Sequence, residues 1–176
     1  IALKKALDEL AAKNMQLTSV IGGEARSSDK TEPYSMPHNH KKQIATLHLA
    51  SEAQVREAIE NALAAQEKWA AVPFEERASI LLKAADLLAG RYRALANAAT
   101  MLGQSKTAHQ AEIDAVCELC DFWRYNVEYA REIMAQQPGS APGIWNQLDY
   151  RPLDGFVLAV SPFNFTSIAV NLPTSV

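Results

Sequence analysis

The feature that most restricts the fold is a run of five apolar residues, Phe156-Val157-Leu158-Ala159-Val160, closed by Ser161-Pro162. It shows no alternation, so neither of its faces is meant for water. An unbroken apolar run of strand length marks a strand buried on both faces of a parallel sheet. Parallel neighbours are joined by crossovers, usually helices. The residues from Thr166 onward, with Ile168-Ala169-Val170, read as the start of such a helix. Strand, short loop and helix start make the first half of a βαβ unit. The returning strand is then expected outside the 176 residues, which begin at Ile1 and read as a piece of a longer α/β protein.

Upstream of that run the pattern is helical. Ala2 to Asn14 places Leu3, Leu7 and Leu10 on one face. Leu17 to Ile21 is β-rich and ends at the turn pair Gly22-Gly23. Arg26 to Lys42 is polar, holds Pro33 and Pro37, and reads as a loop; Gln43 to Leu49 reads as a strand. Ser51 with Gln54 forms a capping-box signature for a helix that ends before Pro73. Further helices are expected from Pro73 to about Gly90, from Tyr92 to Leu102, and from Thr107 to Ala135. In the last, Ile113, Val116, Cys117, Cys120, Trp123, Val127 and Ala130 share a stripe, with Phe122 and Tyr125 on another face. Gln137 to Gly143, with two prolines and two glycines, breaks the helix, and Trp145 to Tyr150 alternates like a strand.

Composition narrows the function classes. Hydrophobic residues make up 48% and charged residues 21%, enough apolar surface for a core. A net charge of −3 supplies no basic footprint, so no nucleic-acid partner is expected. No stretch approaches the roughly 18 apolar residues of a membrane span, so no membrane partner is expected either. Cys117 and Cys120 stand in a Cys-x-x-Cys spacing, which serves redox pairs and half zinc sites, but no second ligand pair follows. They read as two small buried hydrophobes one turn apart, and reduced thiols fit a cytoplasmic or mitochondrial-matrix location. His38 and His40 lack a third ligand, so no metal is expected.

Ligands of open α/β sheets gather beyond the carboxyl ends of the strands. Ser161, Pro162, Phe163, Asn164 and Phe165 occupy that place. Asn164 admits two readings: a turn former, which asparagine often is, or an amide donor for a developing oxyanion. Glu118 likewise reads either as a surface carboxylate paired with an arginine or as a binding group.

The stretch from Phe156 to Phe165 resembles the Pro-aromatic-Asn-Phe motif of the aldehyde dehydrogenase superfamily. Thr100 to Thr107, Gln110 to Asp114, Glu118 to Asn126 and Tyr150 to Phe156, with Asn171-Leu172-Pro173, resemble its Δ1-pyrroline-5-carboxylate dehydrogenase branch. The resemblance implies the N-terminal part of that α/β fold: helix-rich, with the first strand of a Rossmann-like NAD-binding sheet. It implies a helical and β part at 1–143, the start of an oligomerisation flap at 144–154, and the first strand-loop-helix of the sheet at 155–176.

The same resemblance implies roles. Asn164 would be the catalytic oxyanion stabiliser. Ser161, Pro162 and Phe163 would line the NAD site. Glu118 and Phe165 would bind the substrate, with the Phe122 and Tyr125 side of the helix facing its tunnel. The complete enzyme would oxidise L-glutamate γ-semialdehyde to L-glutamate with NAD as cofactor, and would be a homo-oligomer. The nucleophilic cysteine and the glutamate base of the superfamily lie downstream of the Asn motif. Neither Cys117 nor Cys120 is in the matching place, so the 176 residues alone are expected to be inactive. Two other readings stay open: oxidation of a different semialdehyde, and a stand-alone helical interaction module.

Overall fold

The computed structural model describes residues 1–169 and Asn171. About half of the chain is helical. Helix α1 spans Ala2–Ala12 and buries Leu10. Strands β1 (Met15–Leu17) and β5 (Asn39–His48) pair in parallel, and β4 (Thr31–Met36) joins β5 antiparallel, giving the order β1-β5-β4. Strands β2 (Ser19–Ile21) and β3 (Glu24–Arg26) form a separate hairpin. Its two-residue turn is Gly22-Gly23, with φ of 60° and 84°. Both values are positive, as the hairpin turns that match strand twist require, and glycine accepts them without a Cβ clash.

The segment Arg26 to Lys42, expected as a loop, is therefore largely strand. Pro33 stands in β4 opposite Thr46. Proline cannot donate to a ladder, and β4 tolerates it because it is the edge strand. Composition alone could not distinguish an edge strand from a loop.

The predicted helices form. Helix α2 (Glu52–Ala70) starts at the predicted capping box: Gln54 N donates to Ser51 Oγ, and Ser51 N donates to Gln54 Oε1. Helices α3 (Phe74–Ala89) and α4 (Arg93–Gln104) follow. The long helix from Thr107 consists of three joined parts. Helix α5 (Ala108–Ala111) leads into a π-helical stretch, Glu112–Cys117, and then into α6 (Glu118–Ala135). A π stretch inserts residues into the turn and rotates the faces that follow. Ile113 is therefore exposed, while Val116, Leu119, Cys120 and Val127 are buried, although one regular helix would put Ile113 and Val116 on one stripe.

The core between α3, α4 and the π stretch is built from small side chains. Ala85, Ala115, Val116 and Cys120 are buried together, flanked by Leu88, Ala89, Ala96 and Trp123. Small residues let the rods approach closely, so added volume there has nowhere to go. Helix α1 packs on α4, and α3 packs on α6.

Beyond α6 the expected strands do not form. Trp145 to Tyr150 and Phe156 to Val160 carry no strand pairing. Val157, Leu158 and Val160 are 53%, 78% and 82% exposed. A strand is defined by its hydrogen-bonding neighbour, and no described strand pairs with this run. Residues 137–150 instead fold back against the end of α6, where Tyr150 Oη donates to Ile133 O at 2.8 Å and Leu148 N donates to Gln137 Oε1 at 2.8 Å. Ile168 and Ala169 are helical, as expected after Thr166, and Ile168 is buried. Val170, Leu172 and Pro173, which carried part of the resemblance, lie outside the described residues.

Candidate active site

Helix α4 ends in an unusual backbone. Ser105 closes it in the left-handed region at φ 54°, where a non-glycine residue is uncommon. The Ser105 hydroxyl meets His38 Nδ1 at 2.7 Å, and Tyr34 Oη donates to Gly103 O at 2.6 Å. The β4–β5 hairpin thus braces the reversal. Thr107 caps α5 directly afterwards, its hydroxyl accepting from Gln110 N at 3.2 Å. Lys106 is held between these two fixed points.

The loop carrying Ser161 to Thr166 lies against this corner. Gln104 Nε2 donates to Phe163 O at 3.3 Å. Lys106 Nζ donates to Asn164 O at 2.5 Å and stands 4.8 Å from the centre of the Phe165 ring. The same ammonium pairs with Asp114 on the π stretch. Thr100, fully buried on α4, meets the Thr166 hydroxyl at 2.7 Å. Between α1, the sheet, α4 and the loop runs an apolar groove of about 460 Å³, whose walls include Leu10, Leu17, Leu102, Pro162, Phe163 and Phe165.

Within the loop, Ser161, Pro162, Phe163 and Asn164 are exposed and Phe165 is half-buried. The Asn164 side-chain amide has no hydrogen-bond partner among the described residues, and Asn164 itself lies with Phe163 in a turn, as the turn-former reading expects. Glu118 begins α6, half-buried, and belongs to no ion pair among the described residues. The arginine partner weighed for it is thus not found there. Phe122 is half-buried, while Tyr125 is exposed and stacks on Tyr129 with centroids 6.1 Å apart. The candidate residues fall on two bodies, the loop and the helical rod, and Lys106 ties the loop to that rod through Asp114.

One polar cluster escaped sequence reasoning. Glu112 accepts from Asn97 Nδ2 at 2.5 Å, pairs with Arg93, and accepts from Cys117 Sγ at 3.5 Å. Burial alone would raise the Glu112 carboxyl, but the hydrogen bonds from Asn97, Arg93 and Cys117 outweigh it and hold the group below its usual range. Burial, and then the Glu112 carboxylate, push the Cys117 thiol up. Burial likewise raises Cys120, whose Sγ donates to Ala85 O at 3.4 Å. Cys120 is buried as expected, but Cys117, the last residue of the π stretch, is exposed. Thiols held protonated are poor nucleophiles. No trio of metal-ligating side chains occurs among the described residues, and no helix there is long and apolar enough to cross a membrane.

The sequence matches the profile of the aldehyde dehydrogenase family over residues 24–173, and the chain belongs to that family. Among curated proteins it is 48% identical over 175 residues to a Δ1-pyrroline-5-carboxylate dehydrogenase of Agaricus bisporus, covering 98% of this chain and 32% of that one. It is 46% identical over 171 residues to the mitochondrial Δ1-pyrroline-5-carboxylate dehydrogenase of Homo sapiens, covering 97% and 30%. The crystal structure of the Δ-pyrroline-5-carboxylate dehydrogenase from Mycobacterium tuberculosis bound with NAD superimposes with a TM-score of 0.94 at 56% identity, over 98% of this chain and 32% of that one. The chain thus spans about a third of the length of the curated relatives it matches.

Proposed function

We propose that the complete protein oxidises L-glutamate γ-semialdehyde, the open form of Δ1-pyrroline-5-carboxylate, to L-glutamate, with NAD accepting the hydride. The observation that carries this reading is the state of Asn164. Its amide has no partner among the described residues and the residue is exposed at the loop, while its own carbonyl is gripped by Lys106. An amide so held donates from Nδ2 to the aldehyde oxygen as negative charge develops there, with little reorganisation left to do. The names of the relatives supply the substrate.

The remaining roles rest on the same placement. Glu118, half-buried and outside any described ion pair, is the carboxylate that receives the substrate's ammonium group. Phe165 packs against its carbon chain. The exposed backbone of Ser161, Pro162 and Phe163 and the exposed Phe163 ring fit a flat, polar-edged cofactor such as NAD, which supplies a hydride acceptor when bound. Cys117 and Cys120 both precede the Asn164 motif, whereas the superfamily places its nucleophile downstream of it, so the nucleophile is assigned to a cysteine elsewhere in the complete protein.

The segment divisions at 143/144 and 154/155 are kept in this reading. Residues 144–154 expose Ile144, Trp145, Leu148 and Leu153, apolar surface that suits the start of an oligomerisation flap between copies. The exposed run Phe156 to Val160 suits the first strand of the NAD-binding sheet, paired in the complete protein. It counts against a stand-alone interaction module, since such a surface invites aggregation. A cytoplasmic or mitochondrial-matrix location is part of the proposal, supported by mitochondrial relatives.

The test is NADH formation by the full-length protein given NAD and Δ1-pyrroline-5-carboxylate. Turnover is expected, and Glu118→Ala should raise KM for this amino-acid aldehyde while leaving simple aliphatic aldehydes unchanged. An unaltered substrate ranking in Glu118→Ala points to a different semialdehyde. Absence of NADH overturns the reading.

A further inference from the structure

Lys106 is one of the least exposed cations among the described ion pairs, with a side chain 17% exposed, and its partner Asp114 is 19% exposed. A lysine so enclosed, making three contacts at once, has little freedom left. Its ammonium pairs with Asp114, donates to Asn164 O at 2.5 Å, and lies over the Phe165 ring at 4.8 Å. The first partner stands on the rigid helical rod. The other two are consecutive residues of a loop with no regular structure.

Resting on the role proposed for Asn164, we propose that Lys106 is the positioning residue of the oxyanion site, acting on Asn164 through its peptide carbonyl. Four observations support it. The contact falls on the carbonyl of Asn164 itself, so it fixes the peptide plane from which the amide side chain departs. The other described tethers of the loop, Gln104 to Phe163 O at 3.3 Å and Thr100 to Thr166 at 2.7 Å, grip Phe163 and Thr166 and leave Asn164 to Lys106. The lysine is itself aimed by the left-handed turn at Ser105, a backbone state that costs free energy and persists only where the surroundings enforce it. His38 and Thr107 supply that enforcement. Finally, Asp114 neutralises the ammonium, so its charge acts as a local anchor and adds little long-range field.

Two consequences separate positioning from a direct role. Lys106 faces the Asn164 carbonyl, so its removal misplaces the amide without deleting it. A displacement of an ångström or so at a reacting group costs about 100-fold, and loss of an oxyanion donor costs about 100- to 1,000-fold in kcat. Lys106→Met should then lower kcat by about 10- to 100-fold, less than Asn164→Ala. Once Asn164 is alanine, losing Lys106 should cost almost nothing more.

The experiment measures kcat and KM of the full-length protein, with NAD and Δ1-pyrroline-5-carboxylate, for Lys106→Met, Asn164→Ala and the double variant. The inference predicts a kcat loss for Lys106→Met with the KM for NAD within about threefold of wild type, and a double variant within about threefold of Asn164→Ala. Lys106→Arg, which keeps the charge and can still donate to Asn164 O, should recover most of the rate. It also serves as the folded comparison if Lys106→Met does not accumulate; Lys106→Arg as slow as Asn164→Ala would overturn the inference. Wild-type kcat in Lys106→Met, or a double variant whose loss is the product of the two single losses, overturns it while leaving the role of Asn164 intact. Wild-type kcat in Asn164→Ala overturns the role of Asn164, and this inference with it.

Discussion

Thr100→Val tests how firmly the loop is fastened to the helical core. Thr100 is fully buried, and its hydroxyl makes two contacts, to Ala96 O at 2.9 Å and to Thr166 Oγ1 at 2.7 Å. Valine has nearly the same shape, so no cavity opens and only the hydrogen bonding changes. Ala96 O keeps its place in the helix ladder, and Thr166 is exposed and can turn to water. Neither partner is left buried and orphaned, which would cost about 1–3 kcal/mol. The expected destabilisation is therefore that of one net hydrogen bond, about 1 kcal/mol. Thr100→Ala also removes a buried methyl, adding about 0.8 kcal/mol of lost burial and a further cavity cost. Urea unfolding of both variants gives the two values, provided m is unchanged. Faster amide exchange confined to the loop around Thr166 should accompany Thr100→Val. A valine variant as stable as wild type, with unchanged loop exchange, would refute the fastening. A loss above about 3 kcal/mol would refute the claim that Thr166 is rescued by water.

Further outcomes follow from the same structure. Ser51→Ala removes the capping box of α2 and should cost about 1 kcal/mol in urea unfolding. Glu112 has a folded pKa below its usual 4.5, so its contribution is present above that value and is lost as pH falls through the depressed one. Glu112→Gln should therefore flatten the acid side of the stability profile, and an unchanged slope would contradict the cluster. Cys117 should react with a thiol reagent slowly in the native state, being exposed but raised in pKa, and Cys120 only on unfolding, which peptide mapping after timed alkylation would reveal.

What sequence made legible was local. Helix α2 is announced by Ser51 and Gln54, and the β2–β3 turn by Gly22-Gly23, because caps and tight turns are decided by adjacent residues. Strand β4 was hidden, since Pro33 is admissible only on an edge and edges are defined by distant partners. The π stretch was equally hidden, as Glu112–Cys117 has no composition that separates it from α-helix. The run Phe156 to Val160 is apolar enough for a buried strand, but a strand is made by its pairing partner, and no described strand pairs with it. In the candidate site, Asn164 stands out in the sequence as an amide past an apolar run, which admits both the turn and the oxyanion reading. Lys106 does not, because its link to Asn164 spans 58 positions and emerges only from the fold.

The most direct test of the central claim is the kcat of Asn164→Ala in the full-length protein, read as NADH formation from Δ1-pyrroline-5-carboxylate. An amide that steadies the oxyanion predicts a fall of about 100- to 1,000-fold, with KM for NAD nearly unchanged. A variant turning over within about threefold of wild type would contradict the account.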